Sequence, residues 1–182
     1  MDITPVPTVY AGTRFASTLE ADWAATFDKL GWYWQYEPMA VKLLNGDYYR
    51  PDFYLPAQRV WCEVKGPHDE RLDKPKQLQK TLSYDAWEWE SWLVVILRPP
   101  GPGETAVWHG TSEAQDIVLV RCVECDHYCF MDYAGIWTCR HHIDIGKVPR
   151  KPWLNGGELL WPGRDATFTR APRRYSPRKD AA

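Results

Sequence analysis

The sequence predicts an α/β domain, a mixed sheet flanked by helices, carrying a small cysteine-rich module and a basic end. Three observations predict it. Residues 13–30 hold an apolar stripe at helical spacing, Phe15, Leu19, Trp23, Phe27 and Leu30. Residues 60–65 alternate in strand fashion, with Val60, Cys62 and Val64 set against Trp61, Glu63 and Lys65. Residues 92–97 form a continuous apolar run, as expected of a central strand covered on both faces.

Taken in order, residues 1–12 contain Pro5, Pro7 and Gly12 and read as an irregular lead-in. The stripe makes residues 13–30 a helix, and Gly31 is a suitable stop. Residues 32–37 are aromatic-rich and read as a strand, and Asn45-Gly46-Asp47 is a turn signal before the next strand. Residues 48–56 and 60–65 then pair as a hairpin across Pro56, Ala57 and Gln58, completing a three-strand meander. After Gly66-Pro67 a helix runs from about 69 to 88. Asp73 or Lys74 lies near its start, because Pro75 fits a first turn and not an interior. Residues 106–109 and 117–120 read as short strands. Helices alternating with strands after a meander fit a layered α/β core.

The hairpin brings chemistry together. Glu63 and Lys65 share one strand face, and Asp52 stands on the neighbouring strand. Two carboxylates suit a hard cation such as Mg2+, which takes oxygen ligands and keeps waters. An ammonium beside them can orient a water or steady charge on a phosphate. Each residue also has an ordinary explanation. Glu63 and Lys65 fit the polar face of a half-buried strand, and Asp52 after Pro51 fits a turn. Ser17 and Glu20 fit a capping box at a helix start.

Pro51-Asp52 and Glu63-Val64-Lys65, with Glu20 on the preceding helix, resemble the PD-(D/E)xK nuclease superfamily over roughly the first two-thirds of the chain. The resemblance implies a restriction-endonuclease-like core and a divalent-metal-dependent nuclease, with endonuclease action on DNA as the favoured activity. It implies Asp52, Glu63 and the Val64 carbonyl as ligands of Mg2+ or Mn2+. It implies Lys65 as the residue that orients the attacking hydroxide. Glu20 would act on the metal through water or position a second ion. The small stand-alone size looks like phage or mobile-element members of the family.

Cys122-Val-Glu-Cys125 is followed, after thirteen residues, by Cys139-Arg-His-His142. A C-x2-C pair and a C-x2-H pair supply the four tetrahedral ligands zinc takes at a structural site. Cys122, Cys125, Cys139 and His142 are therefore expected to hold a structural zinc, with His141, His127 and Cys129 as rival ligands. The segment resembles a treble-clef or zinc-ribbon finger, with residues 128–137 as its hairpin. Cys62 is expected to be a buried thiol on the face opposite Glu63.

The domain boundaries read as 1–121 for the core, 122–145 for the zinc module and 146–182 for a basic, partly flexible segment. The net charge of −2 conceals an uneven distribution. Residues 1–121 carry 12 basic against 17 acidic groups, whereas residues 146–182 carry 9 against 3. Such a basic end points to an anionic partner, nucleic acid, held by the zinc module and the tail. No apolar run is long enough for a membrane span, and no leader pattern opens the chain. The sequence therefore reads as a soluble cytoplasmic protein, of the host cytoplasm if phage-encoded. It would act alone, as a homodimer or in a larger nucleic-acid-processing complex. Two rival functions stand beside the nuclease. One is a catalytically inactive, zinc-containing nucleic-acid-binding module. The other is an assembly or inhibitor factor of a nucleic-acid machine.

Overall fold

The computed structural model describes residues 5–84, 93–100, 107–111, 117–122, 125–132, 160–162 and 167–173. It is a mixed α/β structure built on a five-stranded sheet. The chain opens with an antiparallel hairpin of β1 (Thr8–Tyr10) and β2 (Thr13–Phe15). This corrects two expectations, an irregular lead-in and a helix starting at residue 13. Ala11 and Gly12, with φ of 46° and 82°, turn the chain between the strands. Ser17 then caps α1 (Thr18–Lys29). Phe15 falls on the helical stripe only by coincidence of spacing. It is a strand residue buried against Trp34, Tyr36 and Phe53.

Only Gln35–Tyr36 of the aromatic-rich stretch is strand, here β3. The segment 48–56 is not one strand. It divides into β5 (Tyr48–Tyr49), paired with β4 (Val41–Lys42) across the Asn45-Gly46-Asp47 turn, and β6 (Phe53–Leu55), paired with β3. The break falls at Arg50-Pro51-Asp52, where proline has no N–H to continue a ladder. β6 pairs antiparallel with β7 (Val60–Val64), as the hairpin reading expects. β7 then pairs parallel with β8 (Leu93–Arg98), which pairs antiparallel with β9 (Val107–His109). The resulting order is β3-β6-β7-β8-β9. The parallel step needs a crossover, and α2 (Asp73–Tyr84) lies within it, with Pro75 in its first turn. A second sheet, β11-β10-β12, joins β10 (Ile117–Cys122), β11 (Tyr128–Asp132) and β12 (Leu160–Pro162).

Both faces of the central sheet are covered. Val60 and Cys62 face α1 among Trp23, Phe27, Phe53 and Leu97, and Phe130 of β11 joins the same cluster. Trp61 faces the other way, among Val41, Leu43, Tyr49, Leu78, Leu82 and Val94. The polar-face explanation of β7 placed Glu63 and Lys65 toward water. Instead, the β4–β5 hairpin and α2 cover that face. Truncating a fully buried aromatic such as Trp23 to alanine would cost about 3–5 kcal/mol. Residues 167–173 lie along α1. Thr26 Oγ1 accepts from Thr169 N at 2.9 Å, and Asp22 Oδ1 accepts from Ala171 N at 2.9 Å. No helix among the described residues is long and apolar enough to cross a membrane.

Candidate active site

The β6–β7 register sets the site. Phe53 pairs with Cys62, so one step back Asp52 stands opposite Glu63. Asp52 just precedes β6, and its carboxylate reaches across to β7, within range of the Glu63 charge. Asp52 is partly exposed as a residue, but protein surrounds its carboxylate. Its Oδ2 accepts from the Val64 N–H at 2.7 Å. Burial pushes the Asp52 carboxyl well above the usual carboxylate range, and the charge of Glu63 pushes it further. The Val64 N–H pulls it back, Glu20 adds a smaller upward push, and Lys65 a smaller downward one.

Glu63 is only 7% exposed. Its Oε1 accepts from Lys65 Nζ at 2.9 Å, and its Oε2 is buried with no hydrogen-bond partner. Lys65 extends the parallel pairing, its N–H donating to the Leu97 carbonyl at 2.9 Å. The loop beyond it is clamped by Arg98, whose guanidinium donates to the carbonyls of Gly66 and Asp69. Cys62 is buried on the opposite face, as expected, and burial raises its thiol pKa well above normal.

Glu20 sits at the start of α1 and makes the capping arrangement its spacing allows. Ser17 Oγ accepts from the Glu20 N–H at 3.2 Å and donates to Glu20 Oε1 at 2.7 Å. Glu20 Oε2 accepts from Ala16 N at 3.1 Å and from the Tyr36 hydroxyl at 2.7 Å. Its charge reaches Asp52, yet its oxygens are engaged locally. The structure thus brings Asp52, Glu63 and Lys65 together and leaves Glu20 beside them on its own partners. Among the described residues no three His, Cys, Asp or Glu side chains close around a point as a complete cation cage. The oxygen donors brought together here are two carboxylates. Their mutual repulsion and the orphaned Glu63 oxygen suit an oxygen-loving cation that keeps several waters.

Sequence reasoning missed Tyr49, Tyr36 and Arg98. Tyr49 and Tyr36 reach the acids through tertiary packing, and no spacing rule marks them. Arg98 carries a faint signal, a lone cation closing an apolar strand.

Cys122 closes β10, and Cys125 lies in the β10–β11 connection. Asp126 N donates to the Cys122 carbonyl at 2.8 Å, and Cys122 N donates to the His127 carbonyl at 2.9 Å. Asp126 takes φ of 64°, so the chain doubles back tightly around the two cysteines. The His127 ring meets the Cys125 carbonyl through Nδ1 at 2.8 Å, and Cys129 is buried in β11. Residues 128–132 pair with β10, whereas the finger reading paired them within 128–137. Cys139, His141 and His142 lie outside the described residues, as do residues 133–137 of the expected hairpin.

Comparisons with protein-family models, curated proteins and solved structures return no match to this chain.

Proposed function

We propose that this chain is a divalent-metal-dependent nuclease that hydrolyses phosphodiester bonds, with DNA as its favoured substrate and internal cleavage as its favoured mode. The observation that carries the reading is the closeness of the buried Asp52 and Glu63 carboxylates, with Lys65 on one Glu63 oxygen and no partner on the other. Asp52, Glu63 and the Val64 carbonyl would hold Mg2+ or Mn2+. Such an ion supplies Lewis acidity and a bound water of lowered pKa. Asp52 is fixed for this by its bond to the Val64 N–H. Lys65 offers an ammonium at the rim that can orient a water or receive charge from a phosphate oxygen. Glu20 adds negative charge near Asp52 while holding the start of α1. The restriction-endonuclease-like description of the core belongs to this reading, supported by the order helix acid, Asp52, Glu63, Lys65 on a mixed sheet.

A structural zinc on Cys122, Cys125, Cys139 and His142 belongs to the same reading. The tight turn at Cys122 and Cys125 supports it, because two thiolates at one bend are half of a tetrahedral set. Together with the basic residues of 146–182, the zinc module would hold the nucleic acid.

The test is cleavage of plasmid, linear, single-stranded and branched DNA, and of RNA, with Mg2+, Mn2+ or EDTA. Wild type should cut with metal and not with EDTA. Asp52→Ala and Glu63→Ala should each abolish cutting while keeping the circular dichroism of the folded chain. Full activity in both variants would place the cutting centre elsewhere, and no cutting by wild type would leave a nucleic-acid-binding module or an assembly factor in place of the enzyme.

A further inference from the structure

Tyr49 of β5 is 8% exposed, its ring packed among Val41, Trp61, Leu78, Leu82 and Val94. Its hydroxyl is buried and makes no hydrogen bond of normal geometry, and the same holds for Glu63 Oε2. The two are neighbours. After burial itself, Glu63 does most to raise the phenol's pKa, as a charge and as a loose acceptor, and Asp52 adds to it. Buried polar atoms are nearly always paired, so a donor and an acceptor left open in one pocket mark a place where something binds or tightens.

We propose that Tyr49 is a positioning residue of the cation centre, its O–H tightening onto Glu63 Oε2 when the ion binds and so fixing the carboxylate in the orientation that meets the ion. The inference rests on the reading that Asp52 and Glu63 hold a divalent cation. Glu63 has one anchor already, Lys65 on Oε1, but that anchor carries a positive charge and opposes the cation. A phenol orients the carboxylate without adding charge. A phenol carries its proton at neutral pH, so it is available there as a donor. A carboxylate oxygen has two lone pairs, so Oε2 can accept from Tyr49 and still face a metal ion. The packing of the ring against β7 and α2 gives the hydroxyl a fixed direction.

Calorimetric titration with Mn2+ alone, and melting in EDTA, test this on the full chain. Tyr49→Phe keeps the ring and removes the hydroxyl. It should weaken Mn2+ binding about 10- to 100-fold, the usual loss when a ligand's outer hydrogen-bond partner goes. Its Tm in EDTA should be equal to wild type or higher, because a buried hydroxyl with no good partner has been removed. Packing alone cannot move the two readouts in this way. Unchanged Mn2+ affinity in Tyr49→Phe would overturn the inference and leave the cation reading intact. A lower Tm in EDTA with weakened binding would also overturn it, marking Tyr49 as structural. If Asp52→Asn binds Mn2+ as tightly as wild type, the cation reading itself falls, and the role of Tyr49 falls with it.

Discussion

The backbone N–H of Val64 donates to Asp52 Oδ2 at 2.7 Å across the β6–β7 hairpin. That bond ties the acid before β6 to the strand carrying Glu63. It also leaves Asp52 in an awkward electrostatic position. Burial and the facing charge of Glu63 push its carboxyl up by more than Val64 and Lys65 pull it down. An acid whose folded-state pKa is raised favours folding most fully below its unfolded value. That contribution is lost as pH rises through the folded value. Ionised Asp52 is therefore held at a cost to the fold, an arrangement a bound cation would offset.

Asp52→Asn should consequently melt higher than wild type at pH 7 in EDTA. Its Tm should also fall less than wild type's between mildly acidic and neutral pH. In cleavage it should lose more than about a hundredfold, the scale of one lost charge-stabilising group. Differential scanning calorimetry across pH, with and without Mg2+, checks the first part. Wild type should gain Tm from Mg2+ and the variant should not. An Asp52→Asn that melts lower in EDTA would show that the carboxylate is there for the fold.

Lys65 Nζ occupies Glu63 Oε1 at 2.9 Å, with both side chains largely buried. A divalent cation must compete with that ammonium for the same carboxylate. Lys65→Ala should therefore bind Mn2+ as tightly as wild type or more tightly. Its turnover should fall about 10²- to 10³-fold, the cost typical of removing one transition-state donor. The split is read by titration calorimetry beside single-turnover cleavage. Weaker Mn2+ binding would make Lys65 a structural support of Glu63 instead.

Much of this centre is visible in local sequence pattern. Alternation in residues 60–65 and the nearby turn at 56–58 put the segment after Asp52 and the strand carrying Glu63 in one hairpin, and β6 and β7 do pair so. The apolar run before Arg98 is β8 in the sheet interior, and Pro75 lies in the first turn of α2. What escapes the sequence depends on distant partners. Nothing local shows that the β4–β5 hairpin and α2 would cover the Trp61 face and bury Glu63. Pro51 signals a break, but not that Tyr49 on its far side would turn back onto Glu63. Residues 167–173 read as part of a loose basic tail. Yet Phe168 packs against Trp23, and Asp22 and Thr26 of α1 bond to this stretch. Contacts more than a hundred residues apart leave no periodicity to read.

Glu20 separates a cap from a catalytic acid by substitution. Its carboxylate is bonded to Ser17, Ala16 and Tyr36, so Glu20→Ala should cost about 1 kcal/mol of stability, typical of a lost helix cap. Glu20→Gln keeps an acceptor oxygen for Tyr36 and should melt near wild type. Its turnover should fall less than that of Asp52→Asn, because Glu20 reaches the pair by charge alone. Chemical denaturation and cleavage rates on the same samples decide the matter. Loss of turnover in Glu20→Gln as deep as in Asp52→Asn would place Glu20 among the metal-binding groups.

The zinc reading rests on the bend at Cys122 and Cys125, and its test is direct. Cys122 is buried, and its backbone N–H and carbonyl both bond across the turn to His127 and Asp126. A zinc ion at this bend would be joined by Cys139 and His142 from further along the chain. Metal analysis of protein purified without chelator should give about one zinc per chain, the content of a closed four-ligand site. Cys122→Ser and Cys139→Ser should each lose it. Cys129→Ser and His127→Ala should keep it, since these are the rival ligands. Because metal binding and folding are coupled at such sites, the first two variants should also open residues 121–143 to limited proteolysis. Glu63 stands outside this set, so Glu63→Ala should retain its zinc while losing cleavage. Zinc absent from the wild-type protein, or retained in Cys122→Ser, would remove the finger and leave the bend as a plain connection between β10 and β11.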